Sequence, residues 1–226
     1  MNKLFIAAIM LCAVFSAYPQ SRETRNLSSF DELSVGSAVE VILKKGTEEK
    51  AEVVVEGTEA RNVITEVSGS HLSIHMRSGN YHHVDATVYL TYNELESIEI
   101  SSAARVECRD VIESGSMDIS VSSAGKGDIN LKVDVLEVDI SSAGNLTLRG
   151  YAGSQDIEVS SAGGYNGEDL QCEEAEIKVS SAGNARVNVN KSLDAQANSG
   201  GSIRYRGNPG KEYTSENSGG NVRKVD

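Results

Sequence analysis

Apolar and polar residues alternate along most of this chain, and one small-residue tetrapeptide interrupts the alternation at near-constant intervals. Just before each interruption the pairs Ile98/Ile100, Ile119/Val121, Val138/Ile140, Ile157/Val159, Ile177/Val179 and Ala195/Ala197 stand two apart. After it, Val106/Cys108, Leu146/Leu148, Ala185/Val187 and Ile203/Tyr205 do the same. Period two marks a strand with one buried face, and no stretch carries apolar residues at three-to-four spacing over three turns of helix. The tetrapeptides read Ser-Ser-Ala-Gly or a close variant and begin at Ser101, Ser122, Ser141, Ser160, Ser180, Asn198 and Asn217, in steps of 21, 19, 19, 20, 18 and 19 residues. A unit this short cannot bury a core alone, so each is predicted to be one turn of a solenoid, two short strands joined at a bend. Stacked in register, such turns give an all-β, single-stranded parallel β-helix, right-handed by analogy with other β-helices, whose enclosed side chains form like-on-like columns. The second Ser of each copy (Ser102, Ser123, Ser142, Ser161, Ser181, Ser199, Ser218) is expected on the inward side of the bend. The following Ala and Gly keep the corner slim and permit positive φ.

An open stack exposes unpaired backbone, so its ends need covering. Residues 27–94 are suited to that task, with alternating strands expected at Leu33 to Leu43, Ala51 to Glu56, His71 to Met76 and Val84 to Tyr92, forming hairpins that lead into the first coil. Residues 95–226 hold the repeats and continue the same domain. The last copy has Thr214 and Glu216 at core positions, which predicts a weakened final turn and leaves self-association through the stack ends open.

Residues 1–17 read as an export signal: Lys3 supplies the positive start, Leu4 to Val14 the apolar stretch, and Ser16 and Ala17 the small residues of a cleavage site. The expected location is therefore outside the cytoplasm, in the periplasm, on the outer surface or secreted. No later stretch reaches the ~20 apolar residues of a membrane helix. The net charge of −12 argues against nucleic acid and anionic lipid as partners. Cys108 and Cys172 lie at different phases of the repeat, about three rungs apart, too far for a disulfide, and are expected as free buried thiols.

Together, the export signal, a short β-rich entry segment, the run Leu95-Glu-Ser-Ile-Glu-Ile-Ser-Ser-Ala-Ala and the repeated Ser-Ser-Ala-Gly corners resemble the GIN-domain family, whose members are labelled auto-transporter adhesin heads. The resemblance spans roughly residues 30 to 222. It implies a β-helical domain exported by bacteria of the Bacteroidetes type, carrying an adhesin label and a largely unassigned biochemical role. The function expected here is non-catalytic, adhesin-like surface presentation or binding of a macromolecule, a glycan or a cell-surface protein.

Candidate chemistry is sparse. Four places before the tetrapeptides stand Asp118, Glu137, Asp156, Glu176 and Asp194, on outward positions, predicting an acidic column. Neighbouring carboxylates ~5 Å apart repel, and Ca²⁺ is the cation that could relieve them. The bland alternative is a solvated face that discourages sheet-to-sheet association. All four histidines fall at His71, His75, His82 and His83, with Asp85 beside them. A hairpin around Ser78 to His83 would bring His75 and Asp85 together as a zinc-like site, with His71 on the same strand face as His75. Following the corners, Arg105, Lys126, Asn145, Asn184, Ser202 and Asn221 form a polar column read as an amide ladder. Sugar-stacking platforms are limited to Tyr81, Tyr89, Tyr92, Tyr151, Tyr165 and Tyr213, since there is no Trp. A carbohydrate-active enzyme of the envelope is the alternative to a binding domain, but steps of 18 to 21 residues leave little room for groove-building loops. Carboxylates that recur with the repeat point to architecture rather than to a unique catalytic group.

Overall fold

The computed structural model describes residues 20–225, so the export signal expected at 1–17 lies outside the described residues. Sixteen strands join one continuous ladder. The repeats supply the long strands β9 (Arg105–Val121), β10 (Lys126–Ile140), β11 (Asn145–Val159), β12 (Gly164–Val179) and β13 (Asn184–Ala197), each running from one corner to the next and pairing in parallel with its sequence neighbours. Register is set by the repeat: Ile140 lies over Val159, Val159 over Val179 and Val179 over Ala197, while Val138, Ile157, Ile177 and Ala195 stack one column away. Each of these is at most 2 % exposed. Alternation slips within the coil. In β10 Val133 and Leu136 are buried with Asp134 and Val135 both outward, and this double step bends the strand back toward the next corner.

The corner differs from expectation in which residue faces where. In the copy at Ser141–Gly144, Ser142 and Ala143 are the left-handed residues (φ 48 and 61) and the Gly144 amide donates to the Ser141 carbonyl at 2.8 Å. Two consecutive left-handed residues turn the second Ser outward. Ser102, Ser123, Ser142, Ser161, Ser181, Ser199 and Ser218 are all exposed, against the inward position expected. The buried place goes to the fourth residue. It is Gly for a reason of space rather than of φ, because a Cβ on Gly144 would stand 2.5 Å from the Val121 carbonyl oxygen of the rung beneath. Left-handed Ser and Ala are strained, at roughly 1 kcal/mol or more each. The corner ladder offsets this, with Ala124, Ala143 and Ala162 amides each donating at 3.0 Å to the second-Ser carbonyl of the next copy.

The repeat also begins earlier than the tetrapeptides show. The span expected as one strand, Leu33 to Leu43, is broken by a corner at Gly36–Val39, with Ser37 and Ala38 both at φ 57, between β2 (Glu32–Val35) and β3 (Glu40–Lys45). This coil docks on the next one through the Ala38 amide, which donates to the Ser102 carbonyl at 2.9 Å.

At this end, spatial order departs from chain order. β2 lies between β6 (His71–Met76) and β8 (Ser97–Ile100), parallel to both, and β3 lies between β7 (Asp85–Tyr92) and β9. The outermost rung is therefore β6–β7, formed later in the chain than the rung it covers. The strands that cap it are β5 (Val63–Ser68), which forms a hairpin with β6, and β4 (Lys50–Glu56) antiparallel to β7, with β1 (Ser21–Asn26) antiparallel to β4. The hairpin expected around Ser78 to His83 does not form, since β6 and β7 belong to opposite sides of the coil and Arg77 to Val84 serves as an enlarged corner between them. At the far end, β14 (Ser202–Arg206) pairs with β16 (Asn221–Lys224) and β15 (Lys211–Glu216) pairs with β13. The last rung is thus in place, but its core positions Thr214 and Glu216 are exposed, as their polarity predicts.

Candidate functional site

The acidic column is real as geometry. Glu137 lies opposite Asp118 on one side and Asp156 on the other, Asp156 opposite Glu176, and Glu176 opposite Asp194. Glu137, Asp156, Glu176 and Asp194 border a trough of about 470 Å³ that also includes Ser154, Glu174 and Ser192. Lys178, one column over, bridges it at 2.7 Å to Glu176 and 3.9 Å to Glu158. The acids run along the stack rather than converging, because each is fixed to its own rung. Among the described residues no three His, Cys, Asp or Glu side chains are placed to share a metal ion.

Asp118 is held above the usual carboxylate range, first by burial and then by the Asp139 charge. A carboxyl raised in the folded state destabilises the fold when ionised and is neutral in both states below its unfolded value of 3.8. Asp118→Asn therefore raises the Tm at about pH 7, and the gain shrinks to nothing by about pH 3. Thermal scans at the two pH values check this, and a gain persisting in acid would mean altered packing rather than relieved charge.

The histidines do not assemble. His71 pairs with Glu32 at 3.2 Å, and His75 shares a 3.2 Å contact with Ser73. In the ladder His75 sits opposite Ile64 while Asp85 sits opposite Glu56, on different sides of the coil. In the polar column Gly164 falls between Asn145 and Asn184. Each amide bonds a corner carbonyl instead of its neighbour, Asn145 Nδ2 to Ala143 O at 2.9 Å and Asn184 Nδ2 to Gly163 O at 3.2 Å. Of the tyrosines offered as platforms, Tyr92 and Tyr165 are core residues, whereas Tyr89, Tyr151 and Tyr213 are exposed singly. Both cysteines are free and buried, and burial pushes each thiol up to about 11.

A second depression, about 530 Å³, escaped sequence reasoning because its parts are distant in the chain. It lies where the enlarged corner Arg77 to Val84 passes over the small corner Ser37–Ala38, and Met76, Arg77, Tyr81, His83 and Val84 line it with Ala86. The Tyr81 ring rests against the loop backbone, where a Cβ on Gly79 would stand 3.0 Å from the ring. Gly57 closes on the His83 carbonyl, and His83 itself is left-handed at φ 54, so the loop is pinned from the β4 side. The one visible hint was a stretch, Arg77 to Val84, rich in aromatic and basic side chains where a four-residue corner would suffice.

These features define a β-solenoid with in-register outward ladders and a capped, re-threaded first end. The chain belongs to the family described as "Putative auto-transporter adhesin, head GIN domain", whose model matches residues 29–209. It is similar in structure to a "putative adhesin" from Bacteroides fragilis NCTC 9343, at 18 % identity and TM-score 0.81, over 92 % of this chain and 97 % of that one. A "putative adhesin" from Parabacteroides distasonis ATCC 8503 superposes at TM-score 0.73 with 19 % identity, over 92 % and 97 % of the two chains. A protein of the same organism described as a "putative lipid binding protein" superposes at 0.69 with 22 % identity, over 91 % and 97 %. At these identities the likeness is one of fold. No curated protein matches the chain.

Proposed function

We propose that this protein is exported and acts without catalysis, presenting its elongated solenoid surface to a macromolecule, either a glycan or a cell-surface protein. The observation that carries the reading is the arrangement of its outward side chains. They repeat once per rung at strand spacing, in columns such as Asp118–Glu137–Asp156–Glu176–Asp194, so polar groups are spread along a rigid face instead of being gathered at a reacting centre. Membership in an adhesin-head family supports the same reading, and so does the signal-like sequence at 1–17. A glycan array and a pull-down from host-cell surface extracts with the purified protein test it. Saturable binding in either supports the proposal; no binding in both overturns it, and sugar products released on prolonged incubation would replace it with the enzyme reading.

A further inference from the structure

We propose that the cleft beneath the enlarged corner Arg77 to Val84 binds a carboxylate-bearing pyranose, a uronic or sialic acid unit of a glycan; the proposal rests on the binding role above and assigns it a place. Four features converge on this ligand chemistry. The cleft is about 530 Å³, within the usual range of ligand pockets and large enough for one or two sugar rings. Its lining contains no Asp or Glu, whereas three other surface depressions among the described residues include carboxylates, in a chain of net charge −12. Among the described residues eight arginines lie against a carboxylate. Arg77 has no such partner among the described residues, so its guanidinium is free to take a ligand carboxylate in the bidentate manner that suits its planar fork.

The remaining surfaces fit a sugar ring better than a bare anion or an acyl chain. Tyr81, held against Gly79, offers a flat wall for the C–H face of a pyranose, with Met76 and Val84 extending it. Ser37 belongs to the first small corner of the stack. In later corners the equivalent carbonyl accepts an amide from the preceding rung, as Ser102 does from Ala38, whereas no backbone amide among the described residues reaches the Ser37 carbonyl. Together with the Ser37 hydroxyl it gives ring hydroxyls an acceptor at the cleft edge. A phosphate would call for several converging donors such as a backbone nest, and the lining supplies a single arginine. An acyl chain would call for an enclosed apolar tunnel, and this cleft is open and polar along one side.

Isothermal titration of the purified protein with trigalacturonate and with 3′-sialyllactose separates the two sources of the carboxylate, with maltotriose, acetate and inorganic phosphate as controls. One acidic saccharide is expected to bind, and Arg77→Gln and Tyr81→Ala each to weaken it by about tenfold or more, while Tyr81→Phe retains it. Both side chains lie outside the core, and an unchanged Tm confirms that the variants fold. Equal binding of maltotriose, displacement by acetate or phosphate alone, indifference to Arg77→Gln, or no saccharide binding at all would each overturn the assignment. The two readings stay separable. Array or pull-down binding undiminished in Arg77→Gln removes the cleft and leaves the solenoid face, whereas absence of all binding by the parent protein removes both.

Discussion

Gly144→Val is expected to be among the most damaging single substitutions in the molecule, lowering stability by about 3 kcal/mol and the Tm by roughly 6–12 °C. Gly144 is buried in the middle of the corner ladder, and a Cβ would stand 2.5 Å from the Val121 carbonyl oxygen and 2.9 Å from its carbon. Both are backbone atoms held by hydrogen bonds, since the Ser141 amide donates to that same Val121 oxygen at 3.0 Å. Relief requires one rung to lift from the next, breaking strand pairing on both sides of the corner. The first corners of the stack carry Val39 and Ala104 at the equivalent place, so the fold accommodates a side chain near its end. At Val39 the neighbouring rung turns through the long loop Arg77 to Val84 and is not fixed at corner spacing, while at Ala104 the rung beneath, the corner Gly36–Val39, already accommodates a Cβ with the Ser101 amide still donating to the Val35 carbonyl at 2.9 Å. Ala104→Val, which adds two methyl groups to a Cβ already accommodated, is accordingly expected to cost less than half as much. Chemical denaturation of the two variants in parallel provides the measurement, and similar losses at both positions would contradict this account.

Tyr165→Phe is the second, and its sign reverses when Gln155 is changed with it. Gln155 is a polar residue in an otherwise apolar column, between Leu136 and Ala175, and is 3 % exposed. Its Oε1 accepts from the Tyr165 hydroxyl at 2.9 Å, while its Nε2 has no partner. Complete burial raises the Tyr165 phenol far above its ordinary value, so it remains a donor at every working pH. Removing that hydroxyl leaves both ends of the amide unsatisfied, at about 1–3 kcal/mol and a Tm loss of several degrees. Gln155→Leu combined with Tyr165→Phe removes the whole polar set and restores the aliphatic column, so the double variant is expected to equal or exceed the parent in stability by up to about 2 kcal/mol. A double-mutant cycle by urea unfolding reads the reversal; a double variant no better than Tyr165→Phe would show that the amide is satisfied in solution.

The solenoid was legible in the chain from residues such as Ile140, Val159 and Val179, because a period of about 19 with strand alternation has one economical packing, each turn over the last. The acidic column followed from the same arithmetic, since outward positions inherit the register of inward ones. The corner was only half legible. Small residues marked it, but whether Ser142 or Gly144 turned inward depended on two consecutive left-handed residues, a backbone choice that composition leaves open. Gly36–Val39 was overlooked because its corner shares only the central Ser-Ala with the repeats.

The amino-acid sequence by itself determined the coil, its register, its free thiols and its charged ladders, all of which arise from contacts one period apart. Tertiary structure alone decided that β6–β7 would cover β2–β3, that the histidines would part, and that Arg77 and Tyr81 would overhang Ser37. Those placements depend on pairing between segments separated by irregular distances, where burial of Leu33 against both Leu72 and Ile98 selects the partner and no repeat announces it.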